Sequence, residues 1–112
     1  MAATHEDAVL VVQIVRWGTE MQLDEAVAEL FSDGFDPGSA SMDNPAVRKT
    51  LSFGETVGTL VKQGLLNRDL VYDLWWVEGI WARVGPAALR QREKFGEPRL
   101  YENIEALAAG AP

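Results

Sequence analysis

Three acidic residues lie beside apolar faces of predicted helices, where a carboxylate could take part in acid–base chemistry: Glu55, Asp73 and Glu78. A carboxylate near a core needs a partner, because burying an unpaired charge is costly. Four arginines in the second half of the chain could supply the positive charge: Arg83, Arg90, Arg92 and Arg99. We predict a structural ion pair between Glu55 and Arg92, and the alternative is an acid–base role toward a bound substrate.

Other residues that could carry catalysis or hold a metal ion are sparse. His5 is the only histidine and there is no cysteine, so serine–histidine schemes, thiol nucleophiles and Cys/His metal sites lack their members. Asp33, Asp36 and Asp43 share one segment, but their spacing does not match an EF-hand loop and is typical of turns. The sequence therefore predicts no catalytic residue, no metal site and no cofactor, and it favours a protein that is not an enzyme.

The best candidate for an interaction surface is one flank of a predicted tryptophan-rich helix. This flank mixes aromatic, aliphatic and charged groups, as protein–protein contact surfaces do, and it consists of Tyr72, Trp76, Ile80 and Arg83. Packing of the same flank against a neighbouring helix of the chain is the alternative. Trp17, next to Arg16, and Phe35, in an acidic loop, are weaker candidates of the same kind.

The element expected to position these residues is the tryptophan-rich helix itself, over about 68–84. Its stretch from Leu70 to Val84 contains three of the four tryptophans and is apolar on most of its circumference. Such a helix is normally a central one that other helices cover. Gly85 and Pro86 are expected to end or kink it.

A second long helix, over about 45–63, is predicted to pack against the tryptophan-rich one. Gly54 and Gly58 lie inside it, and each costs about 1 kcal/mol relative to alanine. Glycines four residues apart line one side of a helix and let a neighbour approach closely. We therefore expect this side to receive a tryptophan from 75–81.

Apolar periodicity predicts further helices over 6–17, 20–32, 86–95 and 99–108, with a loop over 33–43. The β-branched run from Ala8 to Val15 could also form a strand, but no other segment offers a strand to pair with it. Side chains suited to capping precede four helices: Thr4, Thr19, Asn44 and Asn67. The fold prediction is all-α: a compact bundle of five or six helices in one domain over 1–112, with 1–4 and 109–112 expected to fray.

The charge of the chain bears on its partners. The net charge is −7, and residues 1–44 carry nine acidic residues against one base, Arg16. An acidic chain repels phosphate, which argues against nucleic acid and is compatible with a basic partner surface. The apolar run from Ala8 to Val15 is shorter than the roughly 20 residues that cross a bilayer. We therefore expect no membrane partner and a cytoplasmic location.

The second half of the chain resembles an uncharacterised family of small all-helical bacterial proteins, a domain of unknown function. The resemblance covers mainly residues 53–107, and the residues that carry it are Phe53, Glu55, Leu60-Val61, Gly64-Leu65-Leu66, Asp69-Leu70-Val71, Trp81, Pro86, Arg92, Gly96, Pro98 and Leu100 to Leu107. It implies an all-helical fold and a role for Glu55, Trp81, Arg92 and the segment 101–103. It implies no activity.

Two functions remain at this point. The first is a non-enzymatic protein-interaction or structural domain, with a homodimer through an apolar surface near Trp76 or through the first helix as one form of it. The second is a small-molecule-binding domain or an enzyme with an aromatic pocket around Trp75, Trp76, Trp81 and Phe53. A cavity with an aromatic wall and an acid of perturbed pKa would favour the second function.

Overall fold

Six helices and no strand make up residues 2–111, which are the residues described by the computed structural model of the protein. In chain order the helices are α1 (His5–Glu20), α2 (Leu23–Leu30), α3 (Pro45–Lys62), α4 (Arg68–Leu74), α5 (Val77–Phe95) and α6 (Glu102–Ala109). The predicted all-α class is confirmed. The run from Ala8 to Val15 is helical, because Ile14 and Gly18 on one side of α1 are buried against the other helices.

Side-chain caps start three of the helices at the predicted residues. Thr4 Oγ1 accepts a hydrogen bond from the Asp7 amide, and Asp7 Oδ2 accepts one from the Thr4 amide, which together form a capping box. Asn44 and Asn67 cap α3 and α4, with Pro45 at the first position of α3. The sequence therefore encodes these helix starts locally.

The boundary between α1 and α2 differs from the prediction. Gly18 does not interrupt the first helix, which continues to Glu20, and the Thr19 hydroxyl donates to the Val15 carbonyl instead of capping α2. Gln22 precedes α2 in a left-handed conformation (φ 60°) without a side-chain cap. Gly18 stays in α1 because its small size lets the Phe53 ring and Leu23 pack on it.

The tryptophan-rich helix predicted over about 68–84 is interrupted at Trp75 and Trp76. Trp75 is extended (φ −132°, ψ 140°), and α5 begins only after Trp76. The interruption turns Trp75 inward, where it packs edge-on against Phe53 at 5.5 Å between ring centroids, while Trp76 is 68% exposed. A continuous helix would have needed cover on all its sides, and the interruption removes that need.

Pro86 does not end the helix, as α5 continues through it to Phe95. Proline lacks the amide that would bond to the carbonyl of residue 82, which is the origin of the predicted break. Tertiary packing offsets this loss, because the neighbouring residues Val84, Gly85, Ala87 and Ala88 are all buried. The end of α5 lies instead at Gly96, which adopts the left-handed conformation (φ 61°).

Helix α3 makes the most extensive contacts in the fold, packing against α2, α5 and α6. The prediction that its two glycines receive a tryptophan is wrong, because the beginning of α6 packs on them instead. A Cβ on Gly54 would overlap the Ile104 side chain, and one on Gly58 would lie 2.5 Å from the Asn103 carbonyl oxygen. The two glycines thus let the backbone of α6 lie directly on α3.

Two further features concern the surface and the ends of the chain. No helix within residues 2–111 is long and apolar enough to cross a membrane. The fraying expected for 1–4 and 109–112 falls partly on Met1 and Pro112, which lie outside the described residues. Thr4 is held by its capping box, and the Gly110 amide donates to the Ala106 carbonyl.

We predict that Gly58→Ala destabilises the protein by about 1–3 kcal/mol, because the new methyl group would displace the backbone of α6. Urea unfolding followed by circular dichroism measures the free energy. Gly34→Ala is the control: no atom lies within 4 Å of its Cβ position, so it should change stability by less than about 0.5 kcal/mol. Equal effects of the two substitutions would contradict the close packing of α6 on α3.

We predict that the protein loses stability in acid, where the Asp7 carboxylate becomes protonated. Hydrogen bonds, above all from the Thr4 amide and also from the Asn67 amide, hold the pKa of Asp7 below its ordinary value of 3.8. A depressed pKa stabilises the folded chain above pH 3.8, and this contribution is lost as the pH falls through the folded pKa. Asp7→Asn should therefore lower the melting temperature at pH 6 and converge with the wild type in acid. Glu6→Gln, next to it, should change little at either pH.

Candidate functional site

Glu55 binds the first turn of α6 rather than an arginine. Its Oε1 accepts hydrogen bonds from the backbone amides of Asn103 and Ile104, each at 2.9 Å. These amides have no partner within α6, and Tyr101 before the helix makes no side-chain cap. A carboxylate at a helix N-terminus satisfies the amides and interacts favourably with the helix dipole. Glu55 therefore caps α6 from a different helix.

Arg92 binds the same segment from the other side. Its Nε donates to the Leu100 carbonyl at 2.6 Å, and its Nη2 lies 3.0 Å from Glu105 Oε1. The ion pairs within residues 2–111 do not include the predicted pair of Glu55 with Arg92. The prediction failed because the amides and Glu105 of the α6 segment are closer partners. Both residues hold α6 in place.

Asn103, Thr59 and Tyr101 contribute further interactions around this cap. Asn103 Nδ2 donates to Thr59 Oγ1 at 3.0 Å, one turn beyond Glu55 on α3. Burial raises the pKa of Tyr101, and the negative charge of Glu55 raises it further. The Tyr101 hydroxyl therefore stays neutral at physiological pH beside a charged carboxylate.

The four residues predicted to form one interaction surface divide into two groups. Tyr72 is half-buried, and its hydroxyl donates to the Leu107 carbonyl at 2.7 Å. Ile80 lines a cavity in the core. Trp76 and Arg83 remain on the surface, where they meet two phenylalanines, Phe31 and Phe35, from the segment after α2.

These four residues form a continuous row, which we name the aromatic–arginine ladder: Trp76, Phe31, Arg83 and Phe35. Trp76 and Phe31 are exposed, whereas Arg83 and Phe35 are half-buried and Phe35 packs against the core. The rings of Trp76 and Phe31 stack with centroids 5.8 Å apart and planes 17° apart. The Arg83 guanidinium lies 5.3 Å from the Phe31 centroid and 5.5 Å from that of Phe35, within cation–π range. Trp76 is 68% and Phe31 42% exposed, so the Trp76 end of the ladder faces solvent.

Local backbone features hold the ladder in position. A Cβ on Gly79 would overlap the Trp76 indole, so this glycine lets the ring lie flat on the first turn of α5. Arg83 Nε also donates to the Leu30 carbonyl at 2.7 Å, at the end of α2. A positive charge at a helix C-terminus is favourable, so one side chain closes α2 and supports both phenylalanines.

Two more arginines fasten the loop that carries Phe35. The Arg90 guanidinium donates to the carbonyls of Gly38 and Ala40. Arg48 Nη1 donates to the carbonyls of Met42 and Asp43 at 2.7 and 3.1 Å. The loop from α2 to α3 is therefore tied to α5 at one point and to α3 at another, which helps to hold Phe35 in position.

The core cavity gives little support to a small-molecule site. Its volume is about 40 Å³, and it is lined by apolar side chains, including Phe53 and Trp75, and by the buried Thr50. That volume is far below the several hundred cubic ångströms of ligand pockets. Trp76, Trp81 and acidic residues are not among its lining residues. A separate, solvent-open pocket of about 340 Å³ brings Trp75 and Trp76 together with Asp73 and Glu78, but Phe53 and Trp81 are not part of its lining. Within residues 2–111, no three His, Asp or Glu residues are grouped so that they could hold a metal ion.

The sequence predicts two of the four ladder residues as members of one surface. Trp76 and Arg83 were predicted together from their helical spacing, and Phe35 was noted separately in its loop. Phe31 was not among the predicted site residues. Its position at the last turn, four residues before Phe35 and across an Asp33-Gly34 turn, is the signal that could have joined the two phenylalanines.

Comparison with known proteins identifies the family of this chain. A family model described as Domain of unknown function (DUF4760) matches residues 6–110. The match extends the resemblance seen over 53–107 to nearly the whole chain. Neither a curated protein nor a solved structure matches the chain.

We predict that Glu55→Ala destabilises the protein by about 2–3 kcal/mol, because two amides of α6 lose a charged acceptor. Glu55→Gln keeps one oxygen but loses the charge, and its cost should be about half as large. Chemical denaturation measures both values. Glu93→Ala, an exposed acid of α5, is the matched control and should stay within about 0.5 kcal/mol of the wild type. If the Glu55→Ala variant were as stable as the wild type, the capping role of Glu55 would be ruled out.

Proposed function

This chain belongs to the family Domain of unknown function (DUF4760), and we propose that it is a non-enzymatic protein-interaction domain. Its aromatic–arginine ladder binds a basic amphipathic segment of another protein. The observation that carries this proposal is Trp76, 68% exposed and yet held in one orientation by stacking on Phe31. Because the ring is already ordered, a partner that covers it loses little conformational entropy on binding.

The residue types of the ladder are those that dominate binding energy at protein interfaces. Tryptophan and arginine are enriched among hot spots, and aromatic residues are enriched in the cores of interfaces. The indole offers a broad apolar surface to an aliphatic or aromatic side chain of the partner. Apolar anchors are therefore one half of what the partner must supply.

The charge of the segments around the ladder indicates the second property that the partner must have. The two segments that supply Phe31 and Trp76, residues 23–44 and 69–78, contain no lysine or arginine and carry nine acids: Asp24, Glu25, Glu29, Asp33, Asp36, Asp43, Asp69, Asp73 and Glu78. None of the ion pairs within residues 2–111 uses an acid of these segments. Their negative charge therefore remains available to attract lysines and arginines of a partner.

The same charge argues against a second copy as the partner at the ladder. Two-fold self-association would place the same surface on both sides of the interface. Acidic segments would then face acidic segments, and like charges in contact are unfavourable. A basic segment has the opposite sign and meets no such penalty.

The test uses a synthetic amphipathic helix of leucine and lysine as the probe, titrated by isothermal calorimetry. We expect binding that weakens at least tenfold, or by about 1.4 kcal/mol, in Trp76→Ala. The matched control is Phe95→Ala: Phe95 is an aromatic residue of similar exposure (63%) at the other end of α5, and its removal should change affinity less than twofold. Circular dichroism verifies that both variants fold.

A second peptide, with glutamate in place of lysine, separates charge from apolar contact. It should bind at least tenfold more weakly than the lysine peptide. Equal losses in Trp76→Ala and Phe95→Ala would show that the ladder is not the binding surface. Equal binding of the two peptides would refute the proposed chemistry of the partner.

A further inference from the structure

The outward side of α1 is apolar and no other helix covers it. Val9, Val12 and Val15 are all exposed, Val12 most of all at 67%. Between Asp7 and Arg16 the helix carries no charged residue. Its opposite side, with Ile14 and Gly18, packs on the core. α1 is therefore apolar on two sides and uses only one of them within the chain.

The exposed residues follow the spacing of a coiled-coil seam. Five consecutive seam positions alternate steps of three and four residues, all five are exposed, and they are His5, Ala8, Val12, Val15 and Thr19. We name this set the α1 seam. Steps of three and four give the 3.5-residue period at which helices pack side by side. The unused side of α1 thus has the pattern of a surface that packs against another helix.

We infer that the α1 seam pairs with the α1 seam of a second copy of this chain, antiparallel about a two-fold axis at Val12. In this arrangement Val12 contacts its counterpart, and Val15 contacts Ala8 and the adjacent Val9 of the other copy. Arg16, whose pair with Glu20 of its own chain is exposed to solvent at 3.6 Å, then lies beside the partner's first turn, which carries Glu6 and Asp7. The opposed charges and the antiparallel helix dipoles both favour this orientation.

A parallel pair has the opposite electrostatics. It would place Arg16 against Arg16 and bring the two acidic first turns together, and both contacts are repulsive. The short length of the seam limits the affinity of the dimer. Two heptads bury less than the roughly 1,200 Å² of a standard interface, so we expect a weak dimer with a Kd of about 100 µM.

Sedimentation equilibrium from about 10 µM to 1 mM tests for the dimer across its expected Kd. The wild type should associate, and Val12→Glu should weaken association at least tenfold, because each dimer would hold two like charges on the axis. Leu65→Glu is the matched control, since Leu65 is similarly exposed (62%) and lies outside α1, and it should associate as the wild type does. A monomeric wild type, or equal association of both variants, would overturn the inference.

Cysteine cross-linking tests the orientation, because the native chain contains no cysteine. Val12→Cys should form a disulfide-linked dimer under mild oxidation. Ala8→Cys alone should not, since a rise of 1.5 Å per residue puts its two copies about 12 Å apart, beyond disulfide reach. A mixture of Ala8→Cys with Val15→Cys should form the mixed dimer. Efficient cross-linking of Ala8→Cys to itself would show a parallel pair and refute the geometry.

Two controls separate this inference from the proposed function and from a lipid surface. Trp76→Ala should dimerise normally, and Val12→Glu should bind the leucine–lysine peptide normally, because the seam and the ladder share no residue. Flotation with phosphatidylcholine vesicles supplies the other control. Binding of monomeric wild type to these vesicles, lost in Val12→Glu, would assign the seam to lipid and overturn the dimer.

Discussion

The contact between Glu55 and the first turn of α6 is the interaction on which the rest of the fold depends. α6 contributes to both halves of the core: Ile104 packs in one cluster, and Leu107 and Ala108 pack in the other. A helix of eight residues is too short to be stable on its own. Its position is therefore set from outside, by the carboxylate on its amides, by Arg92 and by the glycines of α3 that admit its backbone.

The sequence predicted features whose cause is local and missed those whose cause is tertiary. Thr4, Asn44 and Asn67 cap helices because each side chain reaches amides two or three residues away, so the signal and its effect lie together in the chain. The interruption at Trp75 has no local cause of this kind. It follows from the packing of Trp75 on Phe53, a contact that links the segment between α4 and α5 to α3.

The candidate sites show the same division. Residue chemistry indicated correctly that Glu55 and Arg92 need partners, but the partners include backbone groups, which every residue carries and which leave no trace in a sequence. For the ladder, helical spacing linked Trp76 to Arg83, whereas Phe31 joins them through a chain separation of 45 residues. Such a contact becomes visible only when α2 and α5 have been placed side by side.

The three arginines that hold the segment after α2 have a consequence for the surface they shape. Arg48, Arg83 and Arg90 all donate to peptide carbonyls there, which are neutral and do not titrate. Guanidinium groups stay protonated throughout the physiological range. These three cations are therefore not consumed in pairing with carboxylates of the described residues. In the proposed complex, added salt would therefore weaken the attraction of a basic segment to the acidic surface, while the carbonyl contacts keep the loop in place.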